Sequence, residues 1–142
     1  MEDMTMKKTM NAIQRRYMIA VAAYETLTFE ENEIERKYIE KNNITGDDGE
    51  LVSHIWELDD EALFDKVNAE LANLPESKEN NEKQNAAREE LKLAENAMIE
   101  YGLSIAPAGL RDTLSKGAKS DYNIRKKLID LVYKLDVSTV NA

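Results

Sequence analysis

His54 is the one imidazole in 142 residues, and it stands between Glu50 and Glu57 in the pattern Glu-x-x-x-His-x-x-Glu. On a helix this spacing gathers all three side chains on one face, where they could hold a single divalent ion. A carboxylate-bridged pair of metals in a helical bundle draws on two Glu-x-x-His pairs from separate helices, which one histidine cannot supply. With no cysteine there is no thiolate ligand, thiol nucleophile or disulfide. The five glycines form neither of the phosphate-cradling patterns, G-x-x-x-x-G-K or G-x-G-x-x-G, and no nucleophile elbow is present. Asp47-Asp48-Gly49-Glu50 lacks the alternating oxygen ligands of a calcium loop and reads as a turn followed by a helix cap. The residues therefore assemble no catalytic set. We expect a non-enzymatic protein with neither metal nor cofactor, and His54 as a surface or half-buried neighbour of a core Trp56.

Recognition chemistry is better represented. Met6, Met10, Ile13, Tyr17 and Tyr24 recur along one helical stripe, and Tyr and Met are enriched where proteins meet. The bland reading of such a stripe is bundle core; the functional one is a contact face for a second copy or another protein. Carboxylates crowd the middle of the chain, among them Asp59, Asp60, Glu61, Glu89 and Glu90. They could stand in for nucleic-acid phosphates before a basic partner, or form a solvated face interrupted by Lys66, Lys78, Lys83, Arg88 and Lys92. Near the end, Lys119, Arg125, Lys126 and Lys127 lie in a helix, glycine-bearing turn, helix arrangement with the outline of a helix-turn-helix. The charges spread around that last helix, so phosphate attraction there would be weak.

Composition indicates what must position these groups. Glycine and proline are scarce, at 5 and 2 residues, which suits helices and starves an all-β fold of turns. From Met6 the positions Met10, Ile13, Tyr17, Ala20, Tyr24, Leu27, Glu31, Ile34 and Tyr38 follow by alternating steps of four and three, the 3.5-residue period of a helix seam. This predicts a long helix over 5–42. Thr28-Phe29-Glu30-Glu31 is also a capping-box pattern, so the helix is either continuous or broken near 26–29. Asn42 to Gly49 ends it. Short helices follow over 48–74, the first capped by Asp48 and carrying Leu51, Val52, Ile55 and Trp56, the second capped by Asp59 or Asp60 and closed by Pro75. Residues 76–84 are a loop or the solvated first turns of an amphipathic helix over 80–101, stopped at Gly102. A hairpin over 107–135 completes the chain, with Leu110, Leu114, Ile124, Leu128, Leu131 and Leu135 inward, Gly117 ending its first helix and Ser120 capping its second. The expectation is a single all-α domain over 1–142, a bundle of about five or six helices.

Charge is uneven along this arrangement. Residues 1–43 carry 7 basic and 8 acidic side chains, 44–102 carry 5 and 16, and 103–142 carry 7 and 4, within a net charge of −9. No apolar run approaches the roughly 18 residues of a membrane span, and Met1 to Lys8 leads into Arg15-Arg16 rather than a hydrophobic stretch. We therefore expect no signal peptide or anchor, a cytoplasmic location, and a regulatory or interaction role, plausible as a homo-oligomer. An acidic inhibitor mimicking nucleic acid is the first alternative, and helix-turn-helix-like DNA binding the second.

Overall fold

The computed structural model describes residues 9–137. Met6, from the expected contact face, lies outside them. Among the described residues the protein is all-α, with helices α1 (Ala12–Asn42), α2 (Glu61–Ala72), α3 (Pro75–Ile105), α4 (Ala108–Ser120) and α5 (Tyr122–Lys134), and one 3-10 turn, Ile55–Glu57. The expected helical bundle class is therefore observed, while several boundaries differ for identifiable reasons.

Helix α1 starts at Ala12, not near Thr5, because Asn11-x-x-Gln14 is a reciprocal cap. The Gln14 N–H donates to Asn11 Oδ1 at 2.8 Å, and the Asn11 N–H donates to Gln14 Oε1 at 2.9 Å. The helix then runs unbroken through 26–31. Thr28 does not cap; its hydroxyl donates to the Tyr24 carbonyl at 3.1 Å, the back-bond of a mid-helix threonine. Glu31, on the expected seam, is exposed to solvent, so the polar residue costs nothing there. Asn43 ends the helix in the left-handed region, φ 52°. The Ile44 N–H reaches the Ile39 carbonyl at 3.1 Å in a Schellman motif.

The expected helix from Asp48 is replaced by a closed loop. Asp48 Oδ1 accepts from the Glu50 N–H, Gly49 takes φ 80°, and the Gly46 and Val52 N–H groups donate to Glu50 and Ile44 carbonyls. Thr45 and Leu51 form one isolated antiparallel bridge. This path buries Val52 and Ile55 against Ile39 and Val67, leaving Leu51 and Trp56 outside. Asp60 caps α2 as expected, accepting from Leu63 N–H at 3.1 Å.

Pro75 not only follows α2 but opens α3, at the first helical position, where its missing N–H is not needed. The charged stretch 76–84 is thus the first turns of a helix. Its seam continues the 3–4 spacing through Asn80, Gln84, Ala87, Leu91, Ala94, Met98 and Tyr101. Gly102 does not stop α3. It is buried where α5 passes closely: a Cβ there would lie 2.7 Å from Val132 Cγ2 and 3.1 Å from Leu128 Cδ1. Likewise Gly117 lies within α4, and a Cβ on it would be 3.0 Å from Ile124 Cδ1. Asp121, not Ser120, caps α5, accepting from the Asn123 and Ile124 N–H groups. Close approach at Gly102 and packing on Ala118 set the inner face of α5 as Leu128, Ile129 and Val132, so Leu131, at 68% exposure, points outward, contrary to expectation; Ile124 and, on α4, Leu110 are also exposed rather than inward.

The chain groups into two compact units, one from Met1–Ala22 with Glu89–Ala142, the other Ala23–Arg88. In the first, Met98, Ile99, Ala118, Ile129 and Val132 form the core, flanked by Ile13, Tyr17 and Tyr133. In the second, Ile39, Val52, Ile55 and Val67 form it, flanked by Tyr38, Phe64 and Leu71. Charge divides along the same lines. Unit Ala23–Arg88 carries 18 acidic and 7 basic side chains, the other 10 and 12.

A methyl group at position 102 must displace the stiff Val132 side chain. Gly102→Ala is expected to cost about 1–3 kcal/mol in urea denaturation despite alanine's higher helix propensity. Gly109→Ala, with open space around it, is expected to be neutral or slightly stabilising.

Candidate binding groove

In unit Ala23–Arg88 the connection between α1 and α2 is held by one carboxylate. Glu35 Oε2 accepts the Ile55 N–H at 3.0 Å, and Glu35 Oε1 lies 3.1 Å from His54 Nδ1. Its side chain is only 14% exposed, so the acceptor is shielded from competing water. His54 in turn stacks on Trp56, with ring centroids 5.5 Å apart and planes 9° from parallel. Glu57 turns back to accept the Ser53 N–H at 3.0 Å. His54, Glu50 and Glu57 therefore do not share a helical face, because their segment is a loop and a single 3-10 turn. Among the described residues no three His, Asp or Glu side chains are grouped so that they could hold a metal ion.

Beside this arrangement opens a groove of about 550 Å³, within the roughly 300–1,000 Å³ of ligand pockets. Ile34, Glu31, Asn32 and Glu35 of α1 form one wall; Phe64, Asn68, Leu71 and Ala72 of α2 form another; Ser77, Lys78, Asn80 and Asn81 of α3 form a third. Ile55 and Trp56 complete the lining. Trp56, expected in the core, is 69% exposed. The wall on α3 is held in register by a buried amide: Asn80 Nδ2 donates to the Leu27 carbonyl at 3.0 Å, and Asn80 Oδ1 accepts from Gln84 Nε2 at 2.6 Å. Next to the groove, the Tyr38 hydroxyl donates to Glu70 Oε1 at 2.5 Å. That bond, with partial burial and the carboxylate's charge, pushes the Tyr38 phenol up to about 12.

The acidic residues singled out by sequence fall in different settings. Asp59 hydrogen-bonds with Asp47, and this contact, reinforced by repulsion from Asp59, raises the Asp47 carboxyl above its ordinary range. Asp60 is committed to its cap, and Glu61 is exposed at the start of α2. Glu89 and Glu90 belong to the other unit, where Glu90 pairs with Arg16 at 2.7 Å and is held low by that guanidinium.

The tyrosine stripe is largely occupied internally. Ile13 and Tyr17 pack on the core of their unit, Tyr17 meeting Tyr133 edge-on at 5.7 Å between centroids. Burial raises the Tyr17 phenol above its usual value, with nearby carboxylates adding to it. Tyr24 is half-buried beneath the Arg88 guanidinium, 5.7 Å from its ring centroid, and Met10 is half-buried just before α1. At the basic end, Arg125 turns onto α3, donating to Asn96 Oδ1 at 2.6 Å with Glu95 at 3.7 Å. Lys119, Lys126 and Lys127 are exposed.

Glu35, Asn80 and Gln84 were not marked by sequence reasoning. The 3–4 spacing of Asn80 and Gln84 upstream of Ala87 and Leu91 was the available signal; Glu35 had none, since its partners lie about 20 residues away. The chain matches no protein-family model, no curated protein and no solved structure. Among the described residues no helix is long and apolar enough to cross a membrane.

Removing the Glu35 acceptor strands the buried Ile55 N–H. Glu35→Ala is expected to destabilise the protein by about 1–3 kcal/mol in urea melts, and Glu35→Gln, which keeps an acceptor, by less. Tyr38 holds its proton more tightly folded, at about 12, than at the ordinary value of 10.0. Its contribution is therefore intact below the unfolded value and lost as pH rises through about 12. Tyr38→Phe should flatten the fall in stability across that alkaline window, as measured by denaturation at a series of pH values.

Proposed function

We propose that this protein acts by binding a partner protein, without catalysis, and that unit Ala23–Arg88 carries the binding surface. The observation that carries the reading is Trp56, the only tryptophan of the chain, held 69% exposed at the edge of an apolar groove. A large ring in that position is stabilised when a partner covers it, and tryptophan is prominent among residues that dominate interface energetics. Its orientation is supported by the His54 stack and the Glu35 contact, so the ring is presented rather than loose. The surplus of 18 acidic over 7 basic side chains in the same unit favours a basic partner.

That charge surplus also supports a second reading, an acidic inhibitor occupying the nucleic-acid channel of a basic protein. Direct DNA binding has less support, since Arg125 is engaged with Glu95 and Asn96. Self-association through Met10, Ile13, Tyr17 and Tyr24 would compete with packing those side chains already have. A regulatory role in the cytoplasm suits a cysteine-free sequence.

Immobilised protein should capture a partner from native lysate, and Trp56→Ala should lose it while Lys126→Glu, in the other unit, retains it. Asp59→Lys with Glu61→Lys should weaken capture and its salt sensitivity. Release by competing duplex DNA would select the inhibitor reading. A partner recovered equally by wild type, Trp56→Ala and the charge-reversed variant would refute the assignment of this surface.

A further inference from the structure

We infer that the groove of unit Ala23–Arg88 receives one face of a cationic amphipathic helix from a partner protein, seating a bulky aliphatic or aromatic side chain between Ile34, Phe64 and Leu71. The inference rests on the proposed binding role of this unit and specifies the chemistry of its occupant.

The long walls of the groove are helices, and in this unit the extended pairing described is the isolated Thr45–Leu51 bridge, which is not part of the lining. An extended peptide would find no ladder to join. A helix arrives with its backbone hydrogen bonds already made and needs only an apolar trough for side chains three and four residues apart. The trough has the required lining: Ile34, Ile55, Phe64, Leu71 and the methyl of Ala72. The side chains of Asn32, Asn68 and Asn81, exposed on its walls, offer hydrogen bonds to polar flanks.

Charge selects the sign of those flanks. Glu31 and Glu35 line the groove against Lys78 alone among basic residues, and the unit as a whole carries 18 acidic against 7 basic side chains. An anionic helix would meet repulsion on approach; Lys or Arg flanks would be drawn in, with a strong dependence on ionic strength because Glu31 and most of the unit's other carboxylates are solvent-exposed. Trp56 borders the seat, so a helix in the groove would cover the indole.

The test uses the full chain and the emission of Trp56, its only indole. A short synthetic amphipathic helix of Leu and Lys is titrated beside two relatives, one with the leucines replaced by Ser at the same charge, the other with the lysines replaced by Glu. The Leu/Lys peptide is expected to shift the emission saturably to shorter wavelength and to bind about tenfold or more tighter than either relative. Ala72→Phe, which fills the trough from an exposed position, should weaken it about tenfold with an unchanged circular dichroism spectrum; Leu131→Ala, in the other unit, should leave it unchanged. Equal binding by the Ser peptide would overturn the inference in favour of charge alone. Tight binding by the Glu peptide, or unaltered affinity in Ala72→Phe, would overturn it as well. A concentration-dependent emission shift without peptide would show that a second copy occupies the groove, again overturning it. If no peptide binds while Trp56-dependent capture of a partner persists, this inference falls and the proposed function stands; if capture also fails, both fall.

Discussion

The side chain of Gln14 is fully buried, and what its carboxamide bonds to sets the frame of its unit. Its oxygen accepts at the start of α1, and its nitrogen donates to the Val132 and Leu135 carbonyls, each at 2.7 Å, at the end of α5. One side chain thus satisfies groups left over at two helix termini, where unpaired backbone in a buried setting is costly. Geometry leaves little freedom: with both amide hydrogens and the oxygen engaged, α1 and α5 can meet in one register. Core packing of Met98, Ile129 and Val132 then proceeds around a fixed point. All three buried polar side chains described, Gln14, Asn80 and Gln84, are carboxamides. They are neutral groups that give directionality without the desolvation cost of a buried charge.

Much of the fold was legible in sequence because helix propensity and the four-three spacing are local properties. The seams of α1 and α3 and the Asp60 cap follow from residues within a few positions of one another. The failures share a physical cause: the deciding contact was distant. Gly102 and Gly117 look like helix ends unless one knows that Val132 and Ile124 pass within a methyl group of them. The inner face of α5 is rotated from the leucine stripe for the same reason. At Asp48 to Leu58, capping chemistry suggested a helix, whereas the chain follows a path that buries Val52 and Ile55. Asn11-x-x-Gln14 is a local cap pattern too, but the apolar spacing that continues upstream of it to Met6 masks it.

The candidate site was less legible than the fold. Trp56 and His54 were recognised as neighbours, but their exposure depends on Glu35, whose partnership with Ile55 crosses a loop. Leu71, Phe64 and Ile34 are ordinary core-type residues in sequence, and only three converging helices leave a space among them. Charge was legible as a trend along the chain, yet its meaning sharpened with the unit boundaries. The acidic surplus belongs to Ala23–Arg88, the unit that holds the groove, while Glu89 and Glu90 fall in a unit that is slightly basic.

The order of the two units along the chain has a consequence for synthesis. Ala23–Arg88 is contiguous, so every partner in its core has left the ribosome soon after residue 88 is added, and its contacts close over modest sequence separations. The other unit is split. Gln14 emerges early, but its acceptors at Val132 and Leu135 arrive 118 and 121 residues later. Until then the Gln14 carboxamide nitrogen lacks the two carbonyls to which it donates in the folded protein. The contiguous unit is therefore the one whose core can close first, while the split unit waits on the arrival of α5.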